Sequence, residues 1–335
     1  MEINTPLAKI SITVIDITNW FVHSNQRGAR CRLGAASYWV DALNSKTETI
    51  ARSVQVGLIG SGIGRSRTPA MHVHEGRMNG LDYRYDLIDL TELGVGVEAL
   101  GRLIDKAESD GFVGLNITHP CKQAAIQFVD ELSQDGATLG AINTITFANG
   151  RRIGHNTDWW GFAEGFRRGL PDAPLSTVAL IGAGGAGVAV AHALATMGTR
   201  FLHIFDLSAS HVAALIEQLE GKHPDCTFVA ATDIATALLD ADGLAHATPT
   251  GTAAHPGVPL DVALLEPRHW VAEIVYFPLE TQLLKEATLR GCRVVNGGGM
   301  AVYQAVRAFE LFTGIAANAE RMTRHFGALG KADDM

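Results

Sequence analysis

Residues 177–194 read TVALIGAGGAGVAVAHAL, and this stretch decides the fold. A short apolar run of strand character leads into a helix-forming run, and between them Gly182, Gly184 and Gly187 fall in G-x-G-x-x-G spacing. The first glycine of such a turn allows a tight reversal, the second lets backbone approach a pyrophosphate, and the third lets helix and strand pack closely. The helix N-terminus then faces the phosphates. The whole loop, Gly182, Ala183, Gly184, Gly185, Ala186 and Gly187, is therefore a candidate dinucleotide cradle. A tight turn without a ligand is the competing reading, and the downstream acid weighs against it.

That acid is Asp206, which closes FLHIFD 24 positions after Gly182. A carboxylate there can accept hydrogen bonds from adenosine ribose hydroxyls, which argues for NAD. A 2′-phosphate would meet a like charge, and the following LSASH offers no arginine to neutralise it, only His211. Asp206 could instead cap the next helix, as could Ser208, and the two roles are compatible.

Outward from this turn, strand-like runs at 177–182, 201–206, 226–230, 243–248, 270–276 and 292–297 alternate with helices expected at 185–198, 208–220, 233–239 and 280–290. Upstream, VQVGLIG (54–60), YRYDLIDL (83–90), GFVGLNIT (111–118) and runs at 141–147 and 151–155 alternate with helices expected at 69–79, 96–109 and 122–131. A further helix starts near Asp158. The expected class is α/β with two domains: an N-terminal α/β substrate domain over 54–160, completed by helices at 300–327, and a Rossmann dinucleotide-binding domain over 175–299. The turn LPDAPLS separates them. Residues 1–53 lack a sustained period and read as an appended arm.

The chain has 335 residues, a net charge of −8 and 47% hydrophobic residues, which fits folded domains rather than disorder. The acidic balance disfavours nucleic acid as a partner. No apolar run of about 18 residues exists, and no basic, apolar leader opens the chain, so no membrane span or secretion signal is expected. Cys31, Cys121, Cys226 and Cys292 are widely spaced, which suggests neither disulfides nor zinc and fits a cytoplasmic setting. The histidines lack a ligand partner set, so no metal is expected. Monomer and homodimer stay open.

Polar chemistry concentrates in SRTPAMH (66–72), NITHPCK (116–122), GAINT (140–144) and GHNTD (154–158), most of it following apolar runs. These segments belong at the carboxyl ends of strands, where open α/β sheets bind ligands. With GAGGAG, ATPTG and MAVYQA they stand in the order and spacing of the shikimate dehydrogenase family, which the chain resembles from residue 54 to about 326. Asp206 and Thr68 make it similar to the NAD-dependent quinate/shikimate dehydrogenases within that family.

The resemblance implies oxidation of quinate or shikimate at a ring hydroxyl with NAD, and it places the catalytic lysine and its aspartate partner on Lys122 and Asp158. It assigns Ser66 and Thr68 to the substrate carboxylate, and Asn116, Thr118, Asn143 and Gln304 to the ring hydroxyls. Tyr276 matches a position whose ring meets substrate, while Thr248, Ile274 and Gly297 match the nicotinamide side. His246, where the family usually has asparagine, and the glycine-rich NGGGM (296–300) depart from the pattern. On chemistry alone, a lysine amine can take the hydroxyl proton as hydride leaves. A neighbouring carboxylate favours the charged ammonium, so both a base and an electrostatic role stay open for Lys122. An NADP-dependent shikimate dehydrogenase, an aminoshikimate-type relative and a ligand-sensing protein without turnover are the alternatives.

Overall fold

The structure, a computed structural model, describes residues 52–333, so nearly all of the expected arm lies outside the described residues. The first sheet contains β1 (Ser53–Gly60), β2 (Asp82–Asp89), β3 (Gly114–Ile117), β4 (Glu131–Leu132), β5 (Thr144–Ala148) and β6 (Arg151–His155), in the order β2-β1-β3-β5-β6-β4. Among these strands lie helices α1 (Thr68–Met78), α2 (Leu90–Leu93), α3 (Leu100–Ser109) and α4 (Gln134–Leu139), and α5 (Asp158–Gly169) follows β6. β1 pairs in parallel with both β2 and β3, so the strand order reverses between β1 and β3. β5 pairs antiparallel with β3 and β6, which makes this sheet mixed.

The second sheet contains β7 (Thr177–Ile181), β8 (Phe201–Phe205), β9 (Thr227–Ala230), β10 (Gly243–His246), β11 (Trp270–Glu273) and β12 (Arg293–Val295). Their order is β12-β11-β10-β7-β8-β9, and every pairing is parallel. Helices α6 (Gly185–Thr196), α7 (Ala209–Leu219), α8 (Ile234–Leu238) and α9 (Gln282–Leu289) make the crossovers. This doubly wound order reverses between β7 and β10, the position where such sheets take their ligand. Each strand and helix expected for residues 177–297 is present.

One expected element is not. Residues 122–131 form no α-helix; a 3₁₀ turn (Ala124–Phe128) leads into β4 instead. The Lys122 carbonyl accepts a hydrogen bond from Ile142 N at 2.9 Å, and Asp130 N donates to the Arg152 carbonyl at 2.9 Å. Tertiary partners thus satisfy backbone groups that a helix would have paired internally.

After β12 the chain returns through α10 (Gly298–Thr313) and α11 (Ala319–Asp333), as the spacing predicts. Phe309 and Phe312 of α10 join Val54 and Val56 of β1 in one buried cluster, each ring worth about 1.5–3 kcal/mol of burial. α10 also crosses α5 at backbone contact. A Cβ at Gly161 would stand 2.7 Å from the Met300 carbonyl, and one at Gly299 would stand 3.0 Å from Gly165 Cα. The glycines of NGGGM thereby find a packing reason. Among the described residues, no helix is long and apolar enough to cross a membrane.

Candidate active site

The loops after β1 and β3 meet where the first sheet's strand order reverses. Gly60 ends β1 with no room for a Cβ, because the Thr118 methyl fills that place and the His119 carbonyl stands 3.0 Å away. Ser61 N donates to the same carbonyl at 3.0 Å. From the end of β2, Asp89 accepts from Gly62 N (2.9 Å) and Ile63 N (2.8 Å), which shapes the β1 loop. Ser66 follows, its Oγ accepting from Thr68 N at 3.3 Å, and Thr68 opens α1 with Pro69 behind it. Both hydroxyl residues are half-buried beyond the carboxyl end of β1.

Lys122, in the β3 loop, reaches Asp158 at the start of α5, with Nζ to Oδ2 at 2.5 Å. Asn143 fixes this pair, donating from Nδ2 to Asp158 Oδ1 (2.9 Å) and Thr157 Oγ1 (2.9 Å) while its Oδ1 accepts from Thr157 N (2.8 Å). Asn116 extends the network: its amide donates to Thr144 Oγ1 at 3.0 Å and accepts from Tyr85 Oη at 2.8 Å. Burial pushes the Tyr85 hydroxyl well above its usual range, so it remains a donor. Asp158 does not cap its helix. Thr157 holds the N-cap position, and Asn156 Oδ1 accepts from Asp158 N at 3.0 Å, which leaves the Asp158 carboxylate to Lys122 and Asn143.

In the second sheet the glycines meet their steric demands. Gly182 has φ +106°, and a Cβ there would lie 2.7 Å from the Ala247 carbonyl and 2.9 Å from Thr248 Cγ2. A Cβ at Gly187 would collide with the Gly182 carbonyl, whereas Cβ atoms at Gly184 and Gly185 would meet nothing within 4 Å. The loop is thus closed toward the protein and open outward at the N-terminus of α6, which fits a diphosphate. Asp206 ends the β8 segment with Oδ2 accepting from Ala183 N (2.8 Å) and Oδ1 from Ser208 N (2.8 Å). Ser208 itself caps α7. The acid therefore braces the glycine loop, and each oxygen retains an acceptor site.

Ile274 and Tyr276 follow β11, and Gly297 presses on the Ile274 and Val275 carbonyls, where no Cβ fits. Thr248 lies beside Gly182 on the β10 loop. Tyr276 is 47% exposed. Gln304 sits on α10 beside Gly161, one turn into α5, and its Nε2 donates to the Ala301 carbonyl at 3.0 Å.

The structure therefore joins Lys122, Asp158, Asn143 and Asn116 directly, and sets Ser66, Thr68 and Thr118 on the adjoining loops. Sequence reading missed Tyr85, Thr144, Asn156 and Thr157. It also missed a contact between the loop after β1 and the segment after β11, where the Arg65 and Arg67 guanidinium groups lie 5.2 and 5.4 Å from the centre of the Phe277 ring. The available signals were Thr144 inside GAINT and Asn156 and Thr157 inside GHNTD.

Fold and site define an α/β oxidoreductase with a dinucleotide-binding half. A family model for the shikimate dehydrogenase substrate binding domain matches residues 58–145, and one for the shikimate 5′-dehydrogenase C-terminal domain matches residues 297–325. The chain is 51% identical over 285 residues to a shikimate dehydrogenase (NADP(+)) of Pseudarthrobacter chlorophenolicus, spanning 84% of this chain and 97% of the relative. It is 47% identical over 285 residues to a quinate/shikimate dehydrogenase (NAD(+)) of Corynebacterium efficiens, spanning 83% and 99%. The solved structure of quinate dehydrogenase from Corynebacterium glutamicum in complex with NAD matches with a TM-score of 0.78 at 44% identity, over 83% of this chain and 99% of that one. The chain belongs to the shikimate dehydrogenase family, as its motifs led us to expect.

Proposed function

We propose that the protein oxidises quinate or shikimate at a ring hydroxyl to the corresponding ketone, with NAD as cofactor. The observation that carries this reading is the Lys122–Asp158 pair, fixed by Asn143 at the ligand edge of a sheet separate from the dinucleotide cradle. When bound, the dinucleotide supplies the hydride acceptor. Lys122, entering the step as the neutral amine, takes the hydroxyl proton as the hydride leaves, and the ammonium so formed is held by Asp158 Oδ2, so charge does not build up on the substrate oxygen. Ser66 and Thr68 hold the carboxylate, Asn116, Thr118, Asn143 and Gln304 the ring hydroxyls, and Tyr276 covers the ring. Gly182 to Gly187, Thr248, Ile274 and Gly297 hold the dinucleotide.

In this reading residues 54–160 with 300–327 form the substrate unit and 175–299 the nucleotide unit. The buried free thiols of Cys121, Cys226 and Cys292 suit a reducing compartment. NADP dependence is the second reading, supported by relatives that carry that name. Against it stands Asp206, whose carboxylate would confront a 2′-phosphate.

Initial rates with quinate and with shikimate, each with NAD and NADP, test the proposal directly. Turnover with NAD on either acid is the expected result, and turnover confined to NADP overturns the cofactor assignment. Asp206→Asn removes the charge while keeping one backbone contact. The ratio of kcat/KM for NAD over NADP is expected to fall by about tenfold or more. An unmoved ratio means Asp206 only braces its loop.

A further inference from the structure

Three donors converge on the Glu273 carboxylate inside the second sheet. Val275 N donates at 3.0 Å, Thr281 Oγ1 donates at 3.3 Å, and His246 Nδ1 lies 3.0 Å from both oxygens. The side chains of His246 and Glu273 are wholly inaccessible to solvent. Burying such a pair among aliphatic neighbours is costly unless its polar atoms are used, and the reaction argued above does not use it. Its position is particular. His246 and Glu273 are in register at the carboxyl ends of β10 and β11, and His246 is also in register with Ile181, the residue before Gly182. The pair lies where the strand order reverses, beneath the turn of the dinucleotide loop.

Surrounded by donors, Glu273 acts as an acceptor throughout, so His246 Nδ1 carries a proton. The other ring nitrogen of His246, Nε2, stands 2.5 Å from Thr248 Oγ1. That oxygen also accepts from Thr250 N at 3.3 Å, which leaves one acceptor position on it. We propose that His246, as the neutral Nδ1–H tautomer, takes the Thr248 hydroxyl proton at Nε2, and that Glu273 and His246 are thereby positioning residues that fix the Thr248 hydroxyl as a hydrogen-bond acceptor for the carboxamide amine of the nicotinamide ring. This rests on the dinucleotide reading above and adds to it a reason for histidine in place of asparagine.

The test is calorimetric binding of NAD and of its 3-acetylpyridine analogue, in which a methyl group replaces the carboxamide amine. The wild-type chain is expected to bind NAD about tenfold more tightly than the analogue. Thr248→Val and His246→Asn are each expected to bring that preference close to unity, and the double variant to go no further. Thr248→Val leaves the buried pair intact, so it reports even where His246→Asn unfolds. Thr248→Ser is expected to restore the preference. A preference that survives Thr248→Val, or two effects that simply add, overturns the positioning role. A wild-type chain that binds neither ligand overturns the dinucleotide reading itself.

Discussion

Lys122→Ala is expected to lower turnover by about 10²–10⁴-fold, the usual worth of positioned proton transfer, while dinucleotide affinity stays close to that of the parent chain. The separation of effects follows from the architecture. Lys122 stands in the β3 loop of the first sheet, and the cradle belongs to the β7 loop of the second. Removing the amine leaves Asp158 oriented by Asn143 and Asn156, so the pocket keeps its shape and loses the group that receives the proton. The measurement is kcat together with calorimetric affinity for the dinucleotide. Turnover that survives the substitution would falsify the assigned role, and a parallel loss of dinucleotide affinity would show that Lys122 supports the fold rather than the chemistry.

The largest expected effect on stability is at Arg321. This guanidinium on α11 binds Glu75 of α1 through two hydrogen bonds of 2.6 and 2.7 Å, and Glu75 is fully buried. Asn318 N and Asn79 Nδ2 donate to the same carboxylate at 2.8 and 3.0 Å. Arg321→Ala strands a buried charge and is expected to cost about 3–5 kcal/mol in denaturant titration, far more than loss of a surface ion pair. The pH dependence has a definite sign. Burial alone would raise the Glu75 carboxyl, but the bonds from Arg321, Asn318 and Asn79 outweigh it and hold the group below its usual value. Its contribution is therefore complete above the ordinary glutamate range and lost as pH falls through the lower folded value. The variant is expected to begin acid unfolding at higher pH than the parent, and coincident acid limbs would refute the argument.

The second sheet was legible because each strand ends in a recognisable turn and each crossover carries one period, and G-x-G-x-x-G states its own steric reason. The first sheet was less so. Residues 122–131 have helical spacing, yet the Lys122 carbonyl and the Asp130 N–H find partners in other segments, and local pattern cannot reveal that. Lys122, Asp158 and Asn143 were readable as polar residues after apolar runs. Tyr85 was not, because a tyrosine within a strand looks like core until Asn116 is seen to accept its hydroxyl. His246 showed as a departure from pattern, but its meaning depended on Glu273, 27 residues away and in register on the neighbouring strand.

The glycine crossing of α5 and α10 bears on how firmly Asp158 is held. The chain passes between the sheets through these two helices, and they touch backbone to backbone at Gly161, Gly165 and Gly299. A contact this close admits little sliding of one helix along the other, so the crossing locks their backbones together. Asp158 lies less than one helical turn from it, and Gln304 stands against Gly161. The carboxylate that meets Lys122 is therefore carried on backbone that two helices hold in common, one of them contributed from the far end of the chain.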